Sequence, residues 1–149
     1  MASPELVSSL VLSGSSGLYE HMVDRLPVRP DAIFVREHMG RVFYDDKYVT
    51  ADSIKEILDL LAVRKNQMNI VHAAKTAKRD NMGEELVNIK TNTLLLWGRD
   101  DHVTPMDVAE SFNNLLPNSK LESISGCGHA PMIEKPDWFS KQVKSFIEG

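Results

Sequence analysis

The alternation of apolar runs and amphipathic segments over residues 92–149 constrains the fold of this chain more than any other feature. Residues 93–97 (TLLLW) form an uninterrupted apolar run, as strands buried on both faces of a parallel sheet do. A proline-started helix follows, with Thr104 predicted as its N-cap. Residues 120–125 predict a second strand, and Pro136 opens a final helix with one apolar face. This order of elements predicts a parallel sheet covered by helices.

An earlier apolar run predicts one more strand of the same sheet. Residues 6–13 (LVSSLVLS) are followed at once by Gly14, Ser15, Ser16 and Gly17. An apolar run that ends in glycine and serine is typical of a buried parallel strand. The sequence therefore predicts an α/β fold whose sheet has three parallel strands.

Residues 19–88 predict a helical insertion between these strands. Apolar residues recur at helical spacing in a first helix, at Ile54, Ile57, Leu58 and Leu61. Its candidate N-caps are Thr50, Asp52 and Ser53. A second stripe follows at Met68, Val71, Ala74 and Ala77. We therefore divide the chain into residues 1–18, 19–88 and 89–149, which together form one compact unit.

The composition restricts the class of protein. It is ordinary for a globular domain, with 42% hydrophobic and 26% charged residues. The net charge of −4 gives no electrostatic reason to bind nucleic acid or an anionic membrane. The single cysteine, Cys127, excludes a disulfide framework and favours a reducing compartment. No segment has the length of a membrane span, and the N-terminus lacks the pattern of a signal peptide, so we expect a cytoplasmic protein.

Two loops carry the candidate chemistry. Each follows a predicted strand, and open α/β sheets place their ligand sites at that edge. In the first loop Gly98 is expected to let the backbone turn off the strand, and Asp101 follows. In the second, glycines on both sides of Cys127 precede His129. A carboxylate and an imidazole from adjacent strand ends can hydrogen-bond, which fixes the imidazole tautomer and stabilises the imidazolium.

These loops carry a resemblance to a known family. The stretches LLLWGRDDHVTP and ISGCGHAPMIEKPDWF resemble the acid and histidine loops of α/β-hydrolases, most closely the branch of meta-cleavage-product hydrolases, haloperoxidase-like enzymes and related esterases. That family runs in the order nucleophile, acid, histidine, so the acid falls on Asp101 and the histidine on His129. The opening stretch SPELVSSLVLSGSSG resembles the family's sixth strand with the end of the preceding helix, and residues 19–88 correspond to its helical cap. The likeness covers nearly the whole chain.

The resemblance implies a partial α/β-hydrolase fold, a three-stranded parallel sheet with flanking helices and a helical cap insertion. It implies serine-type acyl transfer on a carboxylic ester or a carbon–carbon bond of a small hydrophobic substrate, with no cofactor and no metal. The candidate substrate-pocket residues are Ser15, which follows a strand, and Val103 and Ala130, which neighbour the acid and the histidine.

The sequence departs from the family at the nucleophile. The motif G-x-S-x-G does not occur in it, and residues 14–17 (GSSG) are one residue too short and misplaced in the family order. The loop that supplies the oxyanion donors is absent too. We therefore expect the C-terminal half of a hydrolase, inactive by itself. The alternative is a non-catalytic binding or interaction protein that retains part of the fold, and an in-frame G-x-S-x-G upstream of Met1 would decide between them.

Two other interpretations of the loops are weaker. Asp100, Asp101 and His102 could suggest a metal site, but three consecutive residues rarely converge on one ion. Cys127 near His129 could suggest a thiol dyad, yet a small residue between glycines is more simply explained by packing. We expect Asp100 to be exposed or to stabilise its loop.

The sequence also predicts association. In the family's strand order, residues 6–13 would pair with a strand that lies before them, and that strand is missing here. The run contains no lysine, proline or bulge signal to protect an open edge. We therefore expect a homo-oligomer, most simply a two-fold dimer, or pairing with a separate N-terminal half.

Overall fold

Three parallel strands form one sheet. The structure, a computed structural model, describes residues 6–19, 26–27, 29–79 and 81–149. Strand β1 (Ser9–Ser13) pairs with β2 (Asn92–Gly98), and β2 pairs with β3 (Ser119–Ile124), in the order β1-β2-β3. The register places Val11 opposite Leu94 and Leu95 opposite Leu121. The predicted fold class is confirmed.

Helices account for most of the remaining regular structure. Between β1 and β2 lie α1 (Ala32–Val42), a 3₁₀ turn (Asp46–Tyr48), α2 (Ala51–Leu61), α3 (Arg64–Arg79) and α4 (Gly83–Leu86). After β2 come α5 (Met106–Leu115), α6 (Pro131–Glu134) and α7 (Pro136–Glu148), with β3 between α5 and α6. Among the helices that the structure describes, none is long and apolar enough to cross a membrane.

Two apolar clusters hold these elements together. The first joins the sheet to α5, with Leu95 and Trp97 of β2 packed on Val108 and Phe112. The second lies within the helical segment and joins α1 to α2. Its members are Val35 and Met39 of α1, Ile54 and Leu61 of α2, and Val49, which precedes α2. The helical segment therefore has its own core, separate from that of the sheet.

Capping explains where α2 begins. Thr50 is its N-cap, as predicted, and its hydroxyl accepts a hydrogen bond from the Ser53 N–H at 3.1 Å. The Ser53 hydroxyl in turn accepts one from the Thr50 N–H at 2.9 Å, so the two residues form a reciprocal capping box. The helical stripe from Ile54 to Leu61 is confirmed.

The structure differs from the sequence-based expectations in several elements. Thr104 is not the N-cap of α5; Pro105 occupies that position, because Thr104 hydrogen-bonds to Asp101 instead. Strand β1 is parallel as expected, and its outer edge has no partner among the described strands, which also was expected. The strand is therefore not buried, and Val11 is 36% exposed. Helices α1, α4 and α6 were not predicted. The first five residues of the sequence lie outside the described ranges.

Candidate active site

The Asp101 carboxylate is the centre of the candidate site. It lies just past the carboxyl end of β2 and its side chain is fully buried. Oδ1 accepts hydrogen bonds from the backbone N–H groups of Val103 (2.7 Å) and Thr104 (2.9 Å). Oδ2 accepts one from the Thr104 hydroxyl (2.8 Å) and lies 2.9 Å from Nδ1 of His129. Four donors fill the four lone-pair positions of the carboxylate and fix its orientation.

The proton between Asp101 and His129 can be assigned from the hydrogen bonds. An ionised carboxylate only accepts, so Nδ1 of His129 must donate. The other ring nitrogen, Nε2, is then unprotonated in the neutral imidazole. The His129 side chain is 28% exposed, so part of the ring is accessible. In the described part of the chain, no hydroxyl or thiol hydrogen-bonds Nε2. In the neutral ring, the nitrogen that can accept a proton is therefore free.

Thr104 joins the two groups. Its hydroxyl lies 2.8 Å from Oδ2 of Asp101 and 3.2 Å from Nδ1 of His129, and the residue is fully buried. The only hydroxyl proton goes to the carboxylate, so Thr104 can act only as an acceptor toward Nδ1. The Nδ1–H group is therefore shared between two oxygens, which restricts rotation of the ring.

The surroundings of Asp101 keep it ionised. Burial acts to raise its pKa, but the hydrogen bond from His129, those from Thr104 and the charge of His129 outweigh it. The net effect holds the pKa of Asp101 below its ordinary value of 3.8. The carboxylate is therefore available to orient and stabilise the imidazole at neutral pH.

Backbone contacts bring the acid loop and the histidine loop together. A Cβ added to Gly98 would lie 2.1 Å from the Gly128 carbonyl oxygen and 2.3 Å from that of Cys127. Gly98 is needed for this close approach. The chain also turns directly after Gly98, as expected, and the Asp101 N–H lies 3.4 Å from the Gly98 carbonyl oxygen. The expected loop-stabilising role of Asp100 is also seen, since its Oδ2 accepts a hydrogen bond from the Gly126 N–H at 2.8 Å.

Neither weaker interpretation of the loops gains support. In the ranges that the structure describes, no three His, Cys, Asp or Glu side chains group as metal ligands do. Cys127 is fully buried, and burial, with the negative charge of Glu134, raises the pKa of its thiol to about 12. Such a thiol is protonated at neutral pH and fits the packing role.

The three candidate pocket residues lie near the site, but a pocket around them stays a prediction. Val103 contributes a backbone N–H to Asp101 and is half-buried, Ala130 directly follows His129 and is buried, and Ser15 follows the end of β1. Two grooves of about 420 and 320 Å³ lie elsewhere, along α7 and α3.

Two further residues at the site were not found from the sequence. Gly14, at φ +51°, lies so close to His129 that an added Cβ would come within 2.8 Å of Nδ1. Glu134 is buried and accepts a hydrogen bond from the Gly128 N–H at 2.7 Å. Gly14 could have been noticed as the glycine directly after a strand. The sequence contains no local signal for the contacts of Glu134, which join residues 90 positions apart.

Comparison with known proteins identifies the family. The sequence model of the α/β hydrolase fold family matches residues 8–136. The chain belongs to the α/β-hydrolase fold family. The loops described above are the parts of this α/β hydrolase that carry its candidate acid and histidine.

Relatives and solved structures agree with that assignment. This chain is 29% identical, over 161 aligned residues, to a 2-hydroxy-6-oxononadienedioate/2-hydroxy-6-oxononatrienedioate hydrolase from Cupriavidus pinatubonensis. The alignment covers 99% of this chain and 56% of that hydrolase. A meta-cleavage product hydrolase from Pseudomonas fluorescens superimposes with a TM-score of 0.81 at 20% identity, over 98% of this chain and 58% of the other. An α/β hydrolase from a lagoon-sediment metagenome of Mar Chica, Morocco, is 32% identical, with a TM-score of 0.67, over 97% of this chain and 52% of the other.

The matches share one limit of coverage. The chain spans about half the length of the curated relatives it matches. The likeness to the Pseudomonas structure, at 20% identity, shows the fold alone.

Proposed function

We propose that Asp101 and His129 are the acid and base of a serine-type acyl hydrolase, whose nucleophile comes from polypeptide beyond these 149 residues. The observation that carries the proposal is the 2.9 Å hydrogen bond between Asp101 Oδ2 and His129 Nδ1, which leaves Nε2 free. In this reaction Nε2 accepts the proton of a serine hydroxyl as its oxygen attacks a carbonyl carbon. The imidazolium, stabilised by Asp101, then returns that proton to the leaving group.

The substrate class is proposed from the relatives. Hydrolases of 2-hydroxy-6-oxo dienoic acids from Cupriavidus pinatubonensis and Metapseudomonas resinovorans each align with at least 96% of this chain. We infer a small hydrophobic substrate with a carbonyl group, cleaved at a carbon–carbon or ester bond. Acyl transfer through a serine requires neither a cofactor nor a metal.

The chain by itself should be inactive. Ser15 and Ser16 are the hydroxyls that follow β1, and neither hydrogen-bonds the ring of His129. Without a nucleophile and oxyanion donors, His129 can contribute little rate acceleration. We expect no stoichiometric reaction with a fluorophosphonate probe and no triad-dependent hydrolysis of an activated ester. Labelling of Ser15 or Ser16 that disappears in His129→Ala would contradict this.

The enzyme is tested with the coding sequence upstream of Met1. If an in-frame G-x-S-x-G motif lies there, the longer protein that contains it can be expressed, and the fluorophosphonate probe should label the serine of the motif. In that protein His129→Ala should abolish labelling, and Asp101→Asn should lower kcat by about 10⁴-fold because the tautomer is lost. His102→Ala, an exposed histidine of the same loop, is the matched control and should retain activity. Full activity of the His129→Ala variant would contradict the proposal.

One structural feature favours the second candidate, a non-catalytic binding or interaction protein. The apolar face of α7 is only half covered: Phe139, Val143 and Phe146 lie on it and each is half-buried. The edge of β1 that has no partner among the described strands is a second incompletely covered surface. Such surfaces suit a chain that works in an assembly. A coding region without an upstream elbow motif would favour this candidate.

A further inference from the structure

The histidine loop touches the helical segment as well as the acid loop. The His129 N–H donates to the carbonyl oxygen of Val42, the last residue of α1, at 2.7 Å. A Cβ added to Gly128 would lie 2.4 Å from that same oxygen. The backbone of His129 is therefore in direct contact with the end of α1.

A buried carboxylate strengthens this contact. Glu134 in α6 is only 7% exposed. Its Oε1 accepts the Gly128 N–H at 2.7 Å, while Oε2 accepts the N–H groups of Tyr44 at 2.9 Å and Asp45 at 3.2 Å. The Tyr48 hydroxyl adds a hydrogen bond of 3.1 Å to the Ile133 carbonyl. One side chain thus binds the residue before His129 and two residues directly beyond α1.

The partners of Glu134 are unusual for a buried carboxylate. Within the described residues, no lysine, arginine or histidine forms an ion pair with it. Its partners are three backbone N–H groups and the Cys127 thiol, whose Sγ lies 3.9 Å from Oε1. Burial of a carboxylate without such partners would be strongly unfavourable. Both carboxylate oxygens therefore have backbone donors only when both segments are in place.

We propose that Glu134 is a positioning residue that makes the placement of His129 depend on the 42–45 segment of the cap. Asp101 and Thr104 fix the imidazole ring, and Glu134 fixes the backbone that carries it. Displacement of the 42–45 segment removes the acceptor of the His129 N–H and the donors of Glu134 Oε2, and this loosens the backbone that carries the ring. The inference rests on the proposed function in that it takes His129 as the base.

The test measures the ring of His129 in this chain by ¹⁵N NMR, which reports which nitrogen carries the proton. In the unchanged chain the Nδ1–H tautomer should dominate. A glutamine at position 134 has one oxygen, so its NH₂ group must face an N–H donor on one side. In Glu134→Gln we expect a mixture of tautomers and about tenfold faster exchange of the Gly128 and Tyr44 amide protons.

Two control variants separate positioning from general stability. Ile54→Val weakens the apolar core of the helical segment without touching Glu134, and Glu122→Gln removes a carboxylate from the surface of β3. Both should keep the Nδ1–H tautomer. If Glu134→Gln does not fold, Glu134→Asp retains the charge with a shorter reach and should give the same mixture.

Two results would overturn the inference. The first is a folded Glu134 variant whose ring ¹⁵N shifts and pH titration match those of the unchanged chain. The second is an equal tautomer change in Ile54→Val, which would assign the effect to stability alone. Neither readout depends on turnover, so failure of the hydrolase proposal in the labelling experiment is a separate outcome.

Discussion

Gly14 and His129 are in contact across the ends of β1 and the histidine loop: a Cβ on Gly14 would lie 2.8 Å from Nδ1 and 2.9 Å from Cε1 of the ring. That distance is shorter than any van der Waals contact between such atoms. Gly14 also has a φ of +51°, which L side chains rarely adopt. The absence of a side chain at position 14 is therefore a condition for the observed position of the imidazole.

The first prediction follows from that contact. Gly14→Ala should destabilise the chain by about 1–3 kcal/mol through backbone strain and should displace the imidazole from Asp101. Gly40→Ala is the matched control, because Gly40 lies in α1 with nothing within 4 Å of an added Cβ. The control should stabilise the chain by about 0.5–1 kcal/mol. Urea unfolding measures both, and equal effects of the two substitutions would contradict the prediction.

The second prediction concerns the hydroxyl of Thr104. Thr104→Val keeps the shape of the side chain but removes the proton donated to Asp101 Oδ2, at a cost of about 1.5–3 kcal/mol. The pKa of Asp101 should rise toward its ordinary value, because one of the hydrogen bonds that lower it is lost. Thr104→Ser should largely restore both properties. Urea unfolding and ¹³C NMR titration of the carboxyl group test this, and an unchanged Asp101 titration in Thr104→Val would refute it.

The third prediction is a pH dependence of stability. The pKa of Asp101 is lowered in the folded chain, so its contribution is complete above the unfolded value of 3.8 and is lost as the pH falls through the folded value. Asp101→Asn should therefore be about 2 kcal/mol less stable than the unchanged chain at pH 7. This gap should shrink below about pH 4. Thermal unfolding at several pH values measures it, and a gap that grows in acid would show that the sign is wrong.

The fourth prediction concerns the two edges of the sheet. Strand β3 carries Lys120 and Glu122, which form an ion pair of 2.9 Å, whereas β1 (SLVLS) has no charged residue. Charges protect an open edge from pairing, so β1 is the edge that should recruit a second chain. We expect an oligomer, most simply a two-fold dimer, in light scattering at micromolar concentration.

Substitutions in and away from β1 test this assignment. Leu10→Lys or Val11→Pro should shift the oligomer toward monomer. Val63→Lys, which adds a charge at an exposed apolar residue in the helical segment, should leave the assembly unchanged. A monomer of the unchanged chain would refute the prediction, unless a separately encoded N-terminal half forms a stable complex with it.

The pairing of Asp101 with His129 was predictable from sequence because each residue follows a strand of the same parallel sheet. Strands β1 and β2 were predictable because each contains a short apolar run that ends at a glycine, Gly14 or Gly98. Strand β3, which carries Lys120 and Glu122, was predictable from its place between two helices. Local pattern gave the wrong role for Thr104, because a threonine before a proline-started helix also fits an N-cap. Its actual partner, Asp101, competes for the same hydroxyl.

Two other contacts between residues distant in sequence were not predictable. Glu134 in α6 accepts hydrogen bonds from the backbone N–H groups of Tyr44 and Asp45. Almost every residue type has such an N–H group, so the sequence does not indicate which residues are the partners. Gly14 has the same difficulty, since its proximity to His129 depends on the final positions of two loops. Helix α1 was missed for another reason: its buried positions, Val35 and Met39, are too few to produce a clear stripe.

The burial of Cys127 has a practical consequence. It is the single cysteine of the chain, it is fully buried between the two loops, and its pKa of about 12 leaves almost no thiolate at neutral pH. A thiol reagent can therefore modify this protein only while the histidine loop is open. The rate of modification, divided by the rate for an unfolded peptide, gives the fraction of time that the loop spends open. The chain thus contains its own chemical reporter of histidine-loop opening, and no labelling site has to be engineered to follow it.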